Sequence, residues 1–173
     1  MAFTVSTYAG APAITSKETG TTDPDTSVVH PPIPLGTIVR GHDPTYGEGE
    51  FIYLKGVAST IAGSIVEYNT SFQTGLDSTA LDTPVPLAVA MTTTTASYYG
   101  WYQISGLARV AKLSTTSFAA DAHFAASAGL AIAAATGLRI HGAVVAVVAS
   151  AVSVTAPDLV TAVIQRPTDA SGT

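Results

Sequence analysis

Short apolar runs, separated by glycine, proline and polar residues, predict a β-rich body from residue 35 to residue 173. Residues 50–57, 86–91 and 159–165 combine β-branched, aromatic and leucine side chains, as strands prefer. The runs recur at intervals of roughly ten residues with turn-forming residues between them, a spacing typical of sandwiches and barrels. The pattern therefore predicts an all-β fold whose body is a compact β-barrel or β-sandwich.

The run at residues 99–105 alternates in a way that separates its aromatic side chains. Successive residues of a strand point to opposite faces, so Trp101 and Tyr102 cannot form one flat platform. Gly106 is predicted to bend the chain, and the alternation continues through residues 107–113. We therefore expect strand structure on both sides of this bend.

Two alanine- and valine-rich stretches are harder to interpret. Ten of the twenty residues from 117 to 136 are alanine, which favours a helix, but Gly129 interrupts the stretch and no stable helical period develops. Short strands are the preferred interpretation here, and a helix is the alternative. Residues 142–154 are too rich in valine for a comfortable helix and predict another strand.

Residues 1–34 differ from the body and predict an extended N-terminal arm. They are rich in threonine and proline and keep neither a helical nor a strand period. Prolines fix φ and remove hydrogen-bond donors, so the end of the arm should be stiff and polyproline-like. We expect the arm to be held by a neighbouring chain through its apolar and proline residues, which are Phe3, Val5, Tyr8, Ile14, Val28, Val29, Pro31, Pro32, Ile33 and Pro34.

The composition narrows the classes of function. Charged residues make up only 11% of the chain, against 47% apolar residues, which excludes a solvated disordered protein. The net charge of −5 argues against a nucleic-acid-binding surface, and the absence of cysteine excludes disulfides and thiolate metal sites. The uncharged stretches at residues 124–138 and 142–157 are shorter than the roughly 18 residues of a membrane span. A surface with so few charges favours contact with another protein.

No arrangement of residues predicts an active site, a metal site or a cofactor. The loop around His42, Asp43, Glu48 and Glu50 offers oxygen ligands for a cation, but its spacing matches no calcium loop, and a solvated acidic turn is the preferred interpretation.

Four residues of the body are candidates for contact with a partner. Tyr98, Tyr99 and Trp101 are either packing residues or a carbohydrate-stacking platform, and packing is preferred because of the alternation. Arg109 is a cation that could pair with an acidic partner surface.

The order of several short motifs resembles small decoration, or cement, proteins of tailed-phage capsids. Those proteins often carry a "GVA" strand, then a "YGWVQI-G" strand, and close with a strand that runs into "RP". The matching segments here are Pro86-Leu-Ala-Val-Ala-Met91, Tyr99-Gly-Trp-Tyr-Gln-Ile-Ser-Gly106 and Val163-Ile-Gln-Arg-Pro167. An earlier "G-IV-Y" strand corresponds to Gly63-Ser-Ile-Val-Glu-Tyr68, so the resemblance covers roughly residues 50–167.

The resemblance implies a non-enzymatic virion protein on the outer surface of the capsid. Its partners would be the major capsid protein and neighbouring copies of itself, since such proteins are often homotrimers that tie capsomers together. No cofactor, nucleic acid or membrane is implied. Two alternatives stay open, which are another virion component, such as a head fibre, tail or minor capsid protein, and a carbohydrate-binding module.

Overall fold

The computed structural model describes residues 4–5, 11–78, 85–135, 138–149 and 158–171. Within these residues the regular structure consists of β-strands, with no α-helix. The all-β prediction is therefore confirmed. The strands in chain order are β1 (Thr4–Val5), β2 (Lys17–Thr19), β3 (Thr21–Thr22), β4 (Val29–His30), β5 (Ile38–Asp43), β6 (Gly47–Lys55), β7 (Ile65–Tyr68), β8 (Thr74–Leu76), β9 (Val85–Ala90), β10 (Tyr98–Lys112), β11 (Phe124–Ser127), β12 (Leu130–Ala133), β13 (Leu138–Val145) and β14 (Asp158–Ser171).

Twelve of these strands belong to one sheet, and β3 and β4 form a separate hairpin. The main strand order is β1-β5-β6-β10-β14-β9-β7-β8, with β13 paired to β14 and the β11–β12 hairpin attached to β10. Between the described strands the pairing is antiparallel apart from a contact between β10 and β12, where Lys112 lies opposite Ala131. The sheet is not closed into a barrel, so the barrel alternative is wrong while the compact all-β body is confirmed.

Strand β10 organises the sheet because it pairs with β2, β6, β9, β12 and β14. It runs for 15 residues and passes through Gly106, whose φ is +102°. The register against β6 shifts between Gln103 and Ser105, next to this glycine. The predicted bend is therefore present, and it lets one strand pair with β6 before the bend and with β14 after it.

Gly106→Ala is expected to destabilise the protein more than Gly47→Ala. A side chain at either position is strained by positive φ, at a cost of about 1–2 kcal/mol in the left-handed region. At Gly106 a Cβ would also collide with the carbonyl oxygen of Glu48, whereas the space around Gly47 is open. Chemical unfolding of the two variants measures the difference, and equal losses would contradict this account of the bend.

Three apolar clusters form the core. The tryptophan cluster consists of Ile14, Ile33, Val39, Phe51, Tyr53, Met91, Tyr99 and Trp101. The tyrosine cluster consists of Ile52, Leu54, Val66, Ala88, Ala90, Tyr102 and Ile104. The large cluster consists of Ile65, Leu87, Val89, Ala108, Val110, Phe118, Phe124, Ala126, Ala131, Ile140, Ala143, Val145, Val160, Ala162 and Ile164. Trp101 and Tyr102 lie in different clusters, which confirms the predicted alternation.

The alanine-rich stretch forms the β11–β12 hairpin, so the preferred strand interpretation is confirmed for its described part. Ala128 and Gly129 make the turn with φ values of +48° and +78°. Phe124, Ala126 and Ala131 are buried in the large cluster. Tertiary packing thus overrides the helix propensity of alanine, and small side chains let the hairpin approach the core closely.

The valine-rich run differs from its prediction. Strand β13 begins at Leu138 and ends at Val145, whereas the sequence predicts a strand over residues 142–154. Its start is fixed by pairing with β14, which includes a bulge between His141 and Ala143. Beyond its end Val147 and Val148 are 60% and 66% exposed, and residues 150–157 lie outside the described part of the chain.

Candidate interaction surface

The described part of the N-terminal arm lies against the chain's own body. Strand β2 pairs with the first residues of β10, where Lys17 lies opposite Gly100. Ile14 and Ile33 are buried in the tryptophan cluster. The expectation that these two isoleucines pack on a neighbouring chain is therefore wrong for this structure, because the body itself provides an apolar layer for them.

The remaining arm residues fall into two groups. Phe3 and Tyr8 lie outside the described residues, and for Val5 the structure gives only backbone pairing with Gly41. Val28 and Val29 are 49% and 50% exposed on the β3–β4 hairpin, Pro32 and Pro34 are exposed, and Pro31 is half-buried. Partner contact through these residues stays a prediction.

Two of the aromatic candidates are core residues. Trp101 and Tyr99 are only 1% and 5% exposed. Trp101 packs edge-on against Tyr53 with 5.0 Å between ring centroids, and its Nε1 donates a hydrogen bond to the carbonyl of Pro12 at 3.3 Å. These side chains cannot contact a partner or stack on a sugar without unfolding of the cluster, so the structure does not support their assignment to a surface.

Burial also controls the chemistry of the tryptophan cluster. Loss of hydration on burial, together with the nearby Glu18 carboxylate, raises the pKa of Tyr53 to about 12. Its hydroxyl has no hydrogen-bond partner among the described residues. The phenol therefore stays protonated at any physiological pH, which is the behaviour of a packing residue.

Tyr98 and Arg109 are the body candidates that reach the surface. Tyr98 is half-buried, and the Lys17 ammonium lies 4.9 Å from its ring centroid. Arg109 is half-buried, and its Nη1 donates a hydrogen bond to the Tyr46 hydroxyl at 3.0 Å. Its Nε is buried and has no hydrogen-bond partner in the described part of the chain. Arg109 therefore keeps an unused donor.

The acidic loop is a structured turn. Asp43 is buried, and its Oδ1 accepts hydrogen bonds from the backbone N–H groups of Thr45 and Tyr46. Glu50 pairs with Arg40 at 3.3 Å and with Arg166 at 3.0 Å. Across the residues that the structure describes, no three acidic or histidine side chains are grouped to hold a metal ion. Asp43 therefore supports the turn, and Glu50 joins the loop to two arginines.

A row of three apolar side chains crosses β10, β14 and β13 on the outer face of the sheet. Val163 lies opposite Leu107 on one side and opposite Val144 on the other. Directly paired residues project to the same face, so the three side chains are neighbours. Val163 is 37% exposed, whereas Ala162 and Ile164 beside it are buried in the large cluster. We call Leu107, Val144 and Val163 the apolar row.

An ion pair fixes the start of the strand that carries Val163. Lys112 is fully buried, and its Nζ lies 3.2 Å from Oδ2 of Asp158 and donates to the Thr116 carbonyl at 2.9 Å. The N–H of Leu159 and the Lys112 ammonium lower the pKa of Asp158 below its usual value. The pair holds β14 in register on β10, where Lys112 lies directly opposite Asp158.

A small cavity opens beside the apolar row. It has a volume of about 160 Å³, and its lining includes Ala62, Ala90, Met91, Leu159 and Arg109. Arg109 is two residues from Leu107 along β10 and therefore lies on the face of the apolar row. The sequence pattern pointed to this region only through Arg109, although apolar residues at both odd and even positions of 159–165 are a further signal for it.

The described residues contain no helix of the length and hydrophobicity that a membrane span requires. Comparisons with protein-family models, with curated proteins and with solved structures found no match for the chain.

Proposed function

We propose that this chain is a non-enzymatic virion protein that decorates the outer surface of a tailed-phage capsid and stabilises contacts between capsomers. The observation that carries the proposal is the apolar row on the outer face of the sheet. The order of the motifs between residues 50 and 167 supports the same conclusion. The partners would be the major capsid protein and neighbouring copies of the chain.

The apolar row suits a protein contact of modest strength. Apolar surface removed from water contributes about 25 cal/mol per Å², so a few partly exposed aliphatic side chains give a weak contact on their own. Many copies bound to one shell convert weak contacts into firm retention. A charged fraction of only 11% keeps the cost of stripping water from such a surface low.

Addition of the purified protein to shells that lack it is expected to raise the temperature at which the shells open. Val163→Asp should abolish most of this gain, because it places a charge in the apolar contact. Ile38→Asp is the matched control, since Ile38 is also an exposed aliphatic residue but lies on β5, away from the apolar row.

The temperature of shell opening is measured by light scattering, and circular dichroism checks that both variants fold. If wild-type protein leaves the opening temperature unchanged, the proposed function is wrong. If Val163→Asp and Ile38→Asp protect as well as wild type, another surface makes the contact.

A further inference from the structure

The cavity beside the apolar row has the features of a receptor for an apolar side chain next to a carboxylate. Its walls include Ala62, Ala90, Met91 and Leu159, and its volume of about 160 Å³ resembles that of a roughly 150 Å³ cavity known to bind benzene. One aliphatic side chain of valine size fits such a space. Arg109 contributes a cation to the same lining.

Arg109 gives the cavity a positive charge that attracts an anion. Its Nη1 is used by the Tyr46 hydroxyl, but its buried Nε has no hydrogen-bond partner among the described residues. A carboxylate that enters the cavity would lie beside this guanidinium charge and be attracted to it. Asp158 is already paired with Lys112.

The β3–β4 hairpin carries the complementary chemistry. Val28 and Val29 are about half exposed, and Asp25 is exposed in the turn before them. The turn is well defined, because the N–H of Asp23 donates to the Val28 carbonyl at 2.8 Å and the N–H of Asp25 donates to Oδ1 of Asp23 at 2.9 Å. The hairpin therefore presents an apolar and acidic tip with a fixed shape.

We propose that the hairpin of one copy docks into the cavity of a second copy. Val28 enters the apolar space, and the carboxylate of Asp25 pairs with Arg109. The hairpin of the same chain does not fill the cavity, since its valines remain exposed. Donor and receptor are different surfaces, so the contact is head-to-tail and generates a closed ring or an open chain. This inference rests on the proposed function, which counts neighbouring copies of the chain among the partners, and it names the surfaces through which two copies meet.

Cysteine cross-linking tests the contact directly, since the chain has no cysteine of its own. Val28→Cys and Ala62→Cys proteins are mixed under mild oxidation, and the mixed disulfide is identified by mass spectrometry. Ala62 is exposed and lines the cavity. Ala120→Cys replaces Ala62→Cys in the control, because Ala120 is exposed on a segment that packs against the end of β13.

The disulfide between positions 28 and 62 (the 28–62 product) is expected to form several times faster than the disulfide between positions 28 and 120 (the 28–120 product). Asp25→Asn added to the Val28→Cys protein, or Arg109→Gln added to the Ala62→Cys protein, should slow formation of the 28–62 product roughly twofold to fivefold. This is the range expected for a partly exposed ion pair. Equal rates for the 28–62 and 28–120 products would overturn the proposal. A dominant 28–28 or 62–62 product would also overturn it, because it would show a symmetric interface. Neither result bears on shell binding, which the heating experiment measures separately.

Discussion

Trp101→Ala is expected to lower the free energy of unfolding by about 3–5 kcal/mol, the usual cost of removing a large aromatic side chain from a core. Trp101 is 1% exposed and packs against Tyr53 in the tryptophan cluster. The same cluster buries Ile14 and Ile33, so it holds the N-terminal segment on the body. The variant should therefore also release this segment before the rest of the protein unfolds.

Chemical unfolding followed by circular dichroism measures the free energy of unfolding. Limited proteolysis at Lys17 reports release of the segment, because the Lys17 side chain is exposed but its backbone is held in β2 until the segment is released. Trp101→Phe is the matched control, because it keeps an aromatic ring but loses the hydrogen bond to Pro12. It should cost less stability and leave Lys17 protected. If Trp101→Ala unfolds without faster cleavage at Lys17, the cluster does not anchor the segment.

The second large effect is expected at the Lys112–Asp158 pair. Asp158→Asn leaves the fully buried Lys112 ammonium without its counter-charge, whereas the asparagine can keep the bond to the Leu159 N–H. Lys112→Met leaves the Asp158 carboxylate unpaired, but this side chain is 33% exposed and can be hydrated. This substitution should lower the free energy of unfolding by about 1–3 kcal/mol, as for a lost buried hydrogen bond. Asp158→Asn should therefore be the more damaging of the two.

The pH dependence of this pair has a definite sign. The pKa of Asp158 is lowered from 3.8 on folding, first by the Leu159 N–H and then by Lys112. The Asp158 carboxylate therefore contributes its full stabilisation above the unfolded-state pKa of 3.8. This contribution is lost as the pH falls through the lower pKa of the folded state.

Unfolding of the wild type and Asp158→Asn at several pH values measures this dependence. The difference in unfolding free energy should be constant between pH 7 and about 5, and should shrink below 3.8. A difference that grows on acidification would contradict the ion pair.

Local pattern predicted most of the strands and the alternation of side chains along β10, but not where the apolar layers lie. Alternation at residues 99–105 correctly separated Trp101 from Tyr102. It could not show that both sides of that strand are covered, because an apolar layer from elsewhere in the chain is a long-range property. For the same reason Ile14 and Ile33, isolated among threonines and prolines, gave no sign that they join the core.

The candidate surface was predicted only through Arg109. Val163 looks like a core residue in the sequence, since its neighbours Ala162 and Ile164 are also apolar and are in fact buried. The pairing of β14 with β10 and β13 decides which of these side chains face outward. The cavity beside the row depends on residues as distant in sequence as Ala62 and Leu159, so no local motif marks it.

The number of copies of this chain in purified tailed-phage particles tests the proposed function most directly. Quantitative mass spectrometry against the major capsid protein gives the ratio. A decoration protein must occupy equivalent positions over the whole shell, so we expect hundreds of copies for each particle. A handful of copies would indicate a tail, fibre or minor capsid protein instead, and absence from the particle would contradict a virion role altogether.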